Sequence, residues 1–272
     1  MDAHPYSYSP LSRITVDALA GEVAAGRFPY LVDVRREEAY AAATDVIRGA
    51  RRRRPDRIAV WGQDIPTGAS VVVYCVHGHE VSQQVCAALR QRGLDARYLD
   101  GGIEGWRAAS GRMQARPAAE PGRWITRARP KIDRIACPWL VRRFIDPDAR
   151  FFYVPADEVF MCGTEWQATP YDIPGAAYSH DGDACSFDAF IVRHGLADDP
   201  ALAALAVIVR GADTGRPDLA PEAAGLKALS LGLSVMFPDD DGMLTRGLAI
   251  YDALYAWCAS ARAEAHGWPP VA

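Results

Sequence analysis

The segment VVVYCVHGHEVSQQVCAALRQRG, residues 71–93, constrains the fold more than any other part of the chain. Val71 to Tyr74 is a short β-branched run suited to a buried parallel strand. Immediately after it, Val81, Val85, Ala88 and Leu89 fall at helical spacing. Gln83, Gln84, Arg90 and Gln91 take the other side, and Gly93 closes the helix. Strand, tight loop and helix in that order build a parallel sheet covered on both faces, and such sheets place ligands at the carboxyl ends of their strands. Cys75 stands at such an end. Gly78 lets the loop turn, and the unpaired amides opening the helix point back towards the sulfur, where they favour an anion such as a thiolate. The alternative for Cys75 is a buried strand-end thiol of the kind expected for Cys86.

The flanking segments fit the same plan. Tyr30 to Val34 (YLVDV) reads as a second buried strand. Ala96 to Leu99 reads as a third, followed by the Gly101-Gly102 turn and a short helix ending near Ala109. LVDVRREEAY with Asp33 and Arg35, the cysteine loop, and ARYLDGGIEGWRA with Gly101, Gly102 and Trp106 together resemble the rhodanese homology domain across about residues 12–110.

That resemblance implies an α/β fold and a two-step sulfur transfer in which the Cys75 thiolate becomes a persulfide. Residues Val76, His77, Gly78, His79, Glu80, Val81 and Ser82 would form the anion-holding loop. Rhodanese loops often carry an arginine that helps hold an anionic donor; here His77, His79 and Glu80 stand instead. Glu80 opposes thiosulfate unless it points away. The histidines either replace part of the missing charge or are exposed loop side chains. Metal binding by Cys75, His77 and His79 is not expected, because a tightly curled loop splays alternate side chains. Arg35 and Arg36 either add positive potential or are solvated. The rhodanese part requires no cofactor; its partners would be a small-molecule sulfur donor and a thiol acceptor.

A composition break at MQARPAAEPGR reads as a linker over residues 113–123, between a domain at 1–112 and a second at 124–272. The six cysteines have no C-x-x-C pair, which excludes a disulfide framework and a zinc ribbon. Net charge is −4, and the short run Arg51 to Arg54 reads as a solvated loop, so no nucleic-acid partner is expected. The start, MDAHPYSYSPLSR, lacks a secretory apolar stretch, and the longest apolar run, Ala201 to Val209, is too short for a bilayer. A cytoplasmic location without membrane attachment follows as the expectation.

The second half reads as a helix-rich α+β domain. Helices are expected over Asp133 to Ile145, with Asp133 as cap, over Pro200 to Arg210 and over Leu244 to Ala263, and a strand over Phe151 to Val154. Pro138 suggests that the first ordered helix starts there. Two clusters carry candidate chemistry. Cys137 among Arg134 and Arg142 is either a thiolate favoured by cations or a core cysteine beside a solvated basic face. His180, Asp183, Cys185 and Asp188 lie close together in a loop-like stretch, able to bind a transition metal or simply to build turns, with Asp213 a remote contributor. TRARPKIDRIACPWLVRRFIDPDARFFYVPADEV, TPYDIPG, SHDGDACSFDAF, VIVRGADTG and YDALYAW resemble the C-terminal domain of the ChrB chromate-resistance family. The combined reading is a sulfurtransferase-like protein linked to chromate or oxyanion resistance. Its alternatives are a chromate or metal sensor without turnover, or a redox metalloenzyme in the second domain.

Overall fold

The computed structural model describes residues 12–117 and 121–264. The extreme N-terminal segment and the centre of the expected linker therefore lie outside the described residues. The chain packs as two units. The first comprises residues 1–23, 28–120 and 143–148; the second comprises 24–27, 121–142 and 149–272.

In the first unit, β1 (Arg13–Ile14), α1 (Val16–Ala24), β2 (Tyr30–Asp33), α2 (Glu37–Ala41), β3 (Asp45–Ile47), β4 (Arg51–Arg52) and α3 (Ile58–Trp61) lead to the central strand β5 (Ser70–Tyr74). Then follow α4 (Glu80–Gln91), β6 (Asp95–Leu99), α5 (Gly102–Ala108) and β7 (Met113–Ala115). Strands β1, β6, β5, β2 and β4 pair in that order, all parallel. Period-two alternation sends Val71 and Val73 to one face, with Val85, Cys86 and Leu89 of α4. Val72 and Tyr74 go to the other, with Ile103 and Trp106 of α5. Both faces are buried, which is why these strands read as unbroken apolar runs.

Two expectations need correction here. Met113–Ala115, assigned to the linker, is a strand that pairs antiparallel with β3, its backbone groups satisfied by the Asp45–Ile47 edge. The Arg51–Arg54 run is not a solvated loop: Arg51 and Arg52 form β4, and Arg51 and Arg53 both pair with Asp148. Arg52 pairs with Glu37 and Arg54 with Asp56, so each arginine of the run has a carboxylate partner, Asp148 serving two.

The second unit holds β8 (Arg123–Arg127), α6 (Asp133–Phe144), β9 (Arg150–Val154), α7 (Val159–Glu165), β10 (Thr169–Pro170), α8 (Ser186–Arg193), α9 (Pro200–Asp213), α10 (Glu222–Met236) and α11 (Asp240–Ala256). Its sheet is parallel, ordered β10-β8-β9. Pro138 does not begin α6 but sits inside it. A proline there cannot donate to the carbonyl four residues back. That carbonyl, of Arg134, instead accepts from the Tyr171 hydroxyl at 3.4 Å. The start of α6 is held from outside: Ile132 donates to Ser230 Oγ at 2.8 Å, and its carbonyl accepts from the Tyr251 hydroxyl at 2.7 Å. Among the described residues no helix is long and apolar enough to cross a membrane.

Candidate functional site

Cys75 follows β5 directly, and the next residues are clamped to the opening of α5. Its carbonyl accepts from Ile103 N at 3.0 Å, and that of Val76 from Glu104 N at 3.1 Å. This closeness is what demands glycine. A Cβ on Gly78 (φ +73°) would stand 2.4 Å from the Leu99 carbonyl oxygen, and one on Gly102 (φ +58°) 2.4 Å from that of Val76.

The Cys75 side chain is buried, and its Sγ lies 3.2 Å from Ser82 Oγ in the first turn of α4. Ser82 donates to the His79 carbonyl at 3.1 Å. With its proton there, the serine oxygen accepts from the thiol; rotated, the same hydroxyl donates to a thiolate. Either protonation state of sulfur therefore has a partner. Gln83 Nε2 donates to the Gly78 carbonyl at 3.1 Å and braces the loop. His77, His79 and Glu80 are exposed. The Glu80 carboxylate accepts from Gln84 Nε2 at 3.1 Å along the helix surface. Val76 and Val81 are half-buried, Gly78 and Ser82 buried.

Arg35 supplies no potential to this loop. It is buried and forked onto Asp33, with contacts of 2.6 to 3.0 Å, and Nη2 also reaches the Asp45 carbonyl. Tyr74 donates to the same Asp33 at 3.1 Å, and burial pushes its phenol well above the usual range. Arg36 is exposed and, with Ile58, Val81, Gln84, Val85 and Ala88, lines a cleft of about 380 Å³ beside α4. Cys86 faces the core, where burial raises its thiol to about 11.

In the second unit the expected metal set does not converge. Asp188 caps α8 through Cys185 N at 2.9 Å and is forked by Arg210 at 2.6 and 3.0 Å. Cys185 is fully buried, and burial drives its thiol upward; Asp183 is exposed. Cys137 is no thiolate either: burial, then the neighbouring Asp133, push it well up. Arg134 turns to Asp172 and to the carbonyls of Arg127 and Ala128. Arg142 lies over the Phe151 ring and reaches the Ala149 carbonyl at 3.4 Å.

His180 joins a different group. Its Nε2 lies 3.1 Å from Asp213 Oδ2, 3.4 Å from Asp172 Oδ1 and 3.5 Å from Asp133 Oδ2. Asp133 stands in the first turn of α6, Asp213 ends α9, and Asp172 follows β10 in a left-handed conformation, φ +49°. Arg127 and Arg134 neutralise Asp172 Oδ2 at 3.0 and 3.1 Å, and Ser186 donates to its Oδ1 at 2.9 Å. Burial lifts the Asp133 carboxyl to about 8, and the Asp133 side chain raises His180 to about 9. Sequence reasoning assigned Asp133 only to a helix cap and passed over Asp172. The acid at the carboxyl end of α9, Asp213, where the helix dipole disfavours it, is the one signal the sequence carries.

Comparisons with known proteins agree with this division. The family model of the rhodanese-like domain matches residues 15–109, and that of the ChrB C-terminal domain matches residues 124–258. Protein ChrB of Cupriavidus metallidurans is 37% identical over 147 residues, 54% of this chain and 44% of that protein, so the chain spans less than half of that relative's length. Among solved structures, a rhodanese-related protein from Thermoplasma volcanium is 20% identical, covering 37% of this chain and 95% of its own, with a TM-score of 0.33. A thiosulfate sulfurtransferase from Pseudomonas aeruginosa is 26% identical, covering 38% and 19%, also at TM-score 0.33. The chain therefore joins a rhodanese-like domain, residues 15–109, to a ChrB C-terminal domain, residues 124–258.

Proposed function

We propose that the rhodanese-like domain is a sulfurtransferase working through a Cys75 persulfide, and that the chain acts in resistance to chromate or related oxyanions. The observation carrying this reading is the Cys75 Sγ at a strand's carboxyl end, 3.2 Å from a serine hydroxyl able to donate or accept, with α4 opening beside it. In the first step the thiolate attacks the outer sulfur of thiosulfate. An S–S bond forms to Cys75, the original S–S bond breaks, and sulfite leaves with the electron pair. In the second step an acceptor thiolate attacks the terminal sulfur, forming its own persulfide and releasing the Cys75 thiolate. A low-molecular-weight persulfide serves the first step equally, with a thiolate leaving.

Ser82 and the amides of the first turn of α4 are the groups available to hold negative charge in both steps. Glu80, held by Gln84, does not oppose a donor at the sulfur as strongly as its sequence position suggests. The link to chromate rests on the ChrB C-terminal match and on shape, since chromate and thiosulfate are both tetrahedral dianions. Steady-state transfer from thiosulfate, with chromate as competitor, tests that link. Slowing at constant maximal rate is expected; transfer indifferent to chromate would remove the shared-loop idea. A second reading, oxyanion binding without turnover, is favoured by the lack of any arginine or lysine among residues 76–82. It predicts chromate protection of Cys75 from alkylation with no sulfur transfer.

A further inference from the structure

We propose that His180, Asp133 and Asp213 form a binding site for a divalent first-row transition metal. The three side chains offer one ligand atom each, all within 4.8 Å of one another. A metal holding nitrogen and oxygen at about 2.1 Å sets neighbouring ligands about 3.0 to 3.4 Å apart. The contacts from His180 Nε2 to Asp213 and Asp133, 3.1 and 3.5 Å, already approach that spacing.

An independent observation points to a cation site. Asp133 is 1% exposed, and its Oδ2, the atom aimed at His180, has no hydrogen-bond partner. A buried carboxylate oxygen without a donor is costly unless something positive meets it. The guanidiniums nearby pair elsewhere, Arg127 and Arg134 both with Asp172 Oδ2. What remains facing the gap is one imidazole and two carboxylates. That donor set suits Mn²⁺, Fe²⁺, Co²⁺ or Zn²⁺ better than a purely oxygen-seeking Ca²⁺ or a thiolate-seeking ion.

The scaffold holds the ligands on elements rather than on one free loop. Asp133 is fixed by the start of α6, which Ser230 and Tyr251 pin through Ile132. Asp213 is fixed by the end of α9. His180, 41% exposed, supplies the open side through which an ion enters and a water or substrate completes the coordination. Asp172, clamped by two arginines and Ser186, lies 3.4 Å from the same His180 Nε2 and adds a carboxylate at the edge of the site.

The full chain, stripped with chelator, is titrated with Co²⁺ by calorimetry and absorption spectroscopy. One equivalent is expected, with a ligand-field spectrum free of thiolate charge transfer and a Tm raised by the metal. His180→Ala and Asp213→Asn should each weaken Co²⁺ by at least about tenfold. Asp183→Asn should bind as wild type. Asp213→Asn relieves like-charge repulsion and should unfold no earlier than wild type in chelator, which separates its loss of Co²⁺ from misfolding. Folded wild-type protein that retains no Co²⁺, a thiolate charge-transfer spectrum, or affinity unchanged in both His180→Ala and Asp213→Asn would overturn the site. The outcome is independent of Cys75, since Cys75→Ser should bind Co²⁺ normally.

Discussion

The Cys75 loop and the His180 cluster are built in opposite ways. The loop is a single contiguous stretch, read from β5 into α4, and its partners Ser82, Gln83 and Gly78 lie within one turn of chain. The cluster gathers Asp133, Asp172, His180 and Asp213 from three separate segments, and no short window of sequence contains them. The loop needs local geometry and one docking contact, the opening of α5 at Gly102, Ile103 and Glu104. The cluster exists only when α6, α9 and the segment after β10 have packed. The first can be recognised from order and spacing; the second becomes visible only through distance and burial.

Predictions that stress this contrast begin with the support beneath β5. Asp33→Ala strands the Arg35 guanidinium, 3% exposed, without its carboxylate. Breaking a buried pair in this way costs about 3 to 5 kcal/mol. Denaturant unfolding should show a large loss of midpoint, and an unchanged midpoint would mean that the pair is not what anchors the strand end. Gly78→Ala follows. Its Cβ would meet the Leu99 carbonyl at 2.4 Å in a left-handed backbone, so a loss of about 1 to 3 kcal/mol is expected together with sulfur transfer. If the variant keeps full stability and activity, the loop is not held as tightly as the contrast requires.

The pH dependence is smaller but touches both units. Burial raises the thiols of Cys86 and Cys258 to about 11 from an ordinary value near 9. For groups with raised folded values, the stabilisation is fully present below the unfolded value and is lost as pH rises through the folded one. The contribution of these two thiols should therefore hold up to about pH 9 and be lost towards pH 11, so the fall in thermal stability across that window should be less steep in Cys86→Ala. Equal slopes in wild type and variant would remove Cys86 as a source. The smallest effect is expected from Ser82→Ala. Removing one hydroxyl beside sulfur should slow transfer by about tenfold, roughly one hydrogen bond, with the fold intact. A rate unchanged within twofold would assign the charge-holding role to the backbone amides alone.

Much of the first unit was legible in the sequence because buried parallel strands announce themselves as β-branched runs. Tyr30 to Val34 and Val71 to Tyr74 mark β2 and β5, and Gly93 (φ +82°) does end α4. Arg35 was misjudged because sequence shows a charge but not its partner; only the fold brings it onto Asp33 and beside Tyr74. In the second unit, helix periodicity located α6 and α9, while Pro138 misled because the Tyr171 hydroxyl that compensates for it lies across the fold. The metal reading had the same weakness. Residues 180–188 are neighbours in sequence, yet helix α8 commits Asp188 to its own amino end and to Arg210, and the burial of Cys185 removes its thiol from play.

The most direct test of the central claim is intact-mass spectrometry of wild type and Cys75→Ser after incubation with thiosulfate and, separately, with glutathione persulfide. The account predicts that wild type gains one sulfur atom, that an acceptor thiol removes it, and that the variant gains none. A protein that gains no sulfur from either donor, or gains it equally without Cys75, would contradict sulfur transfer at this loop.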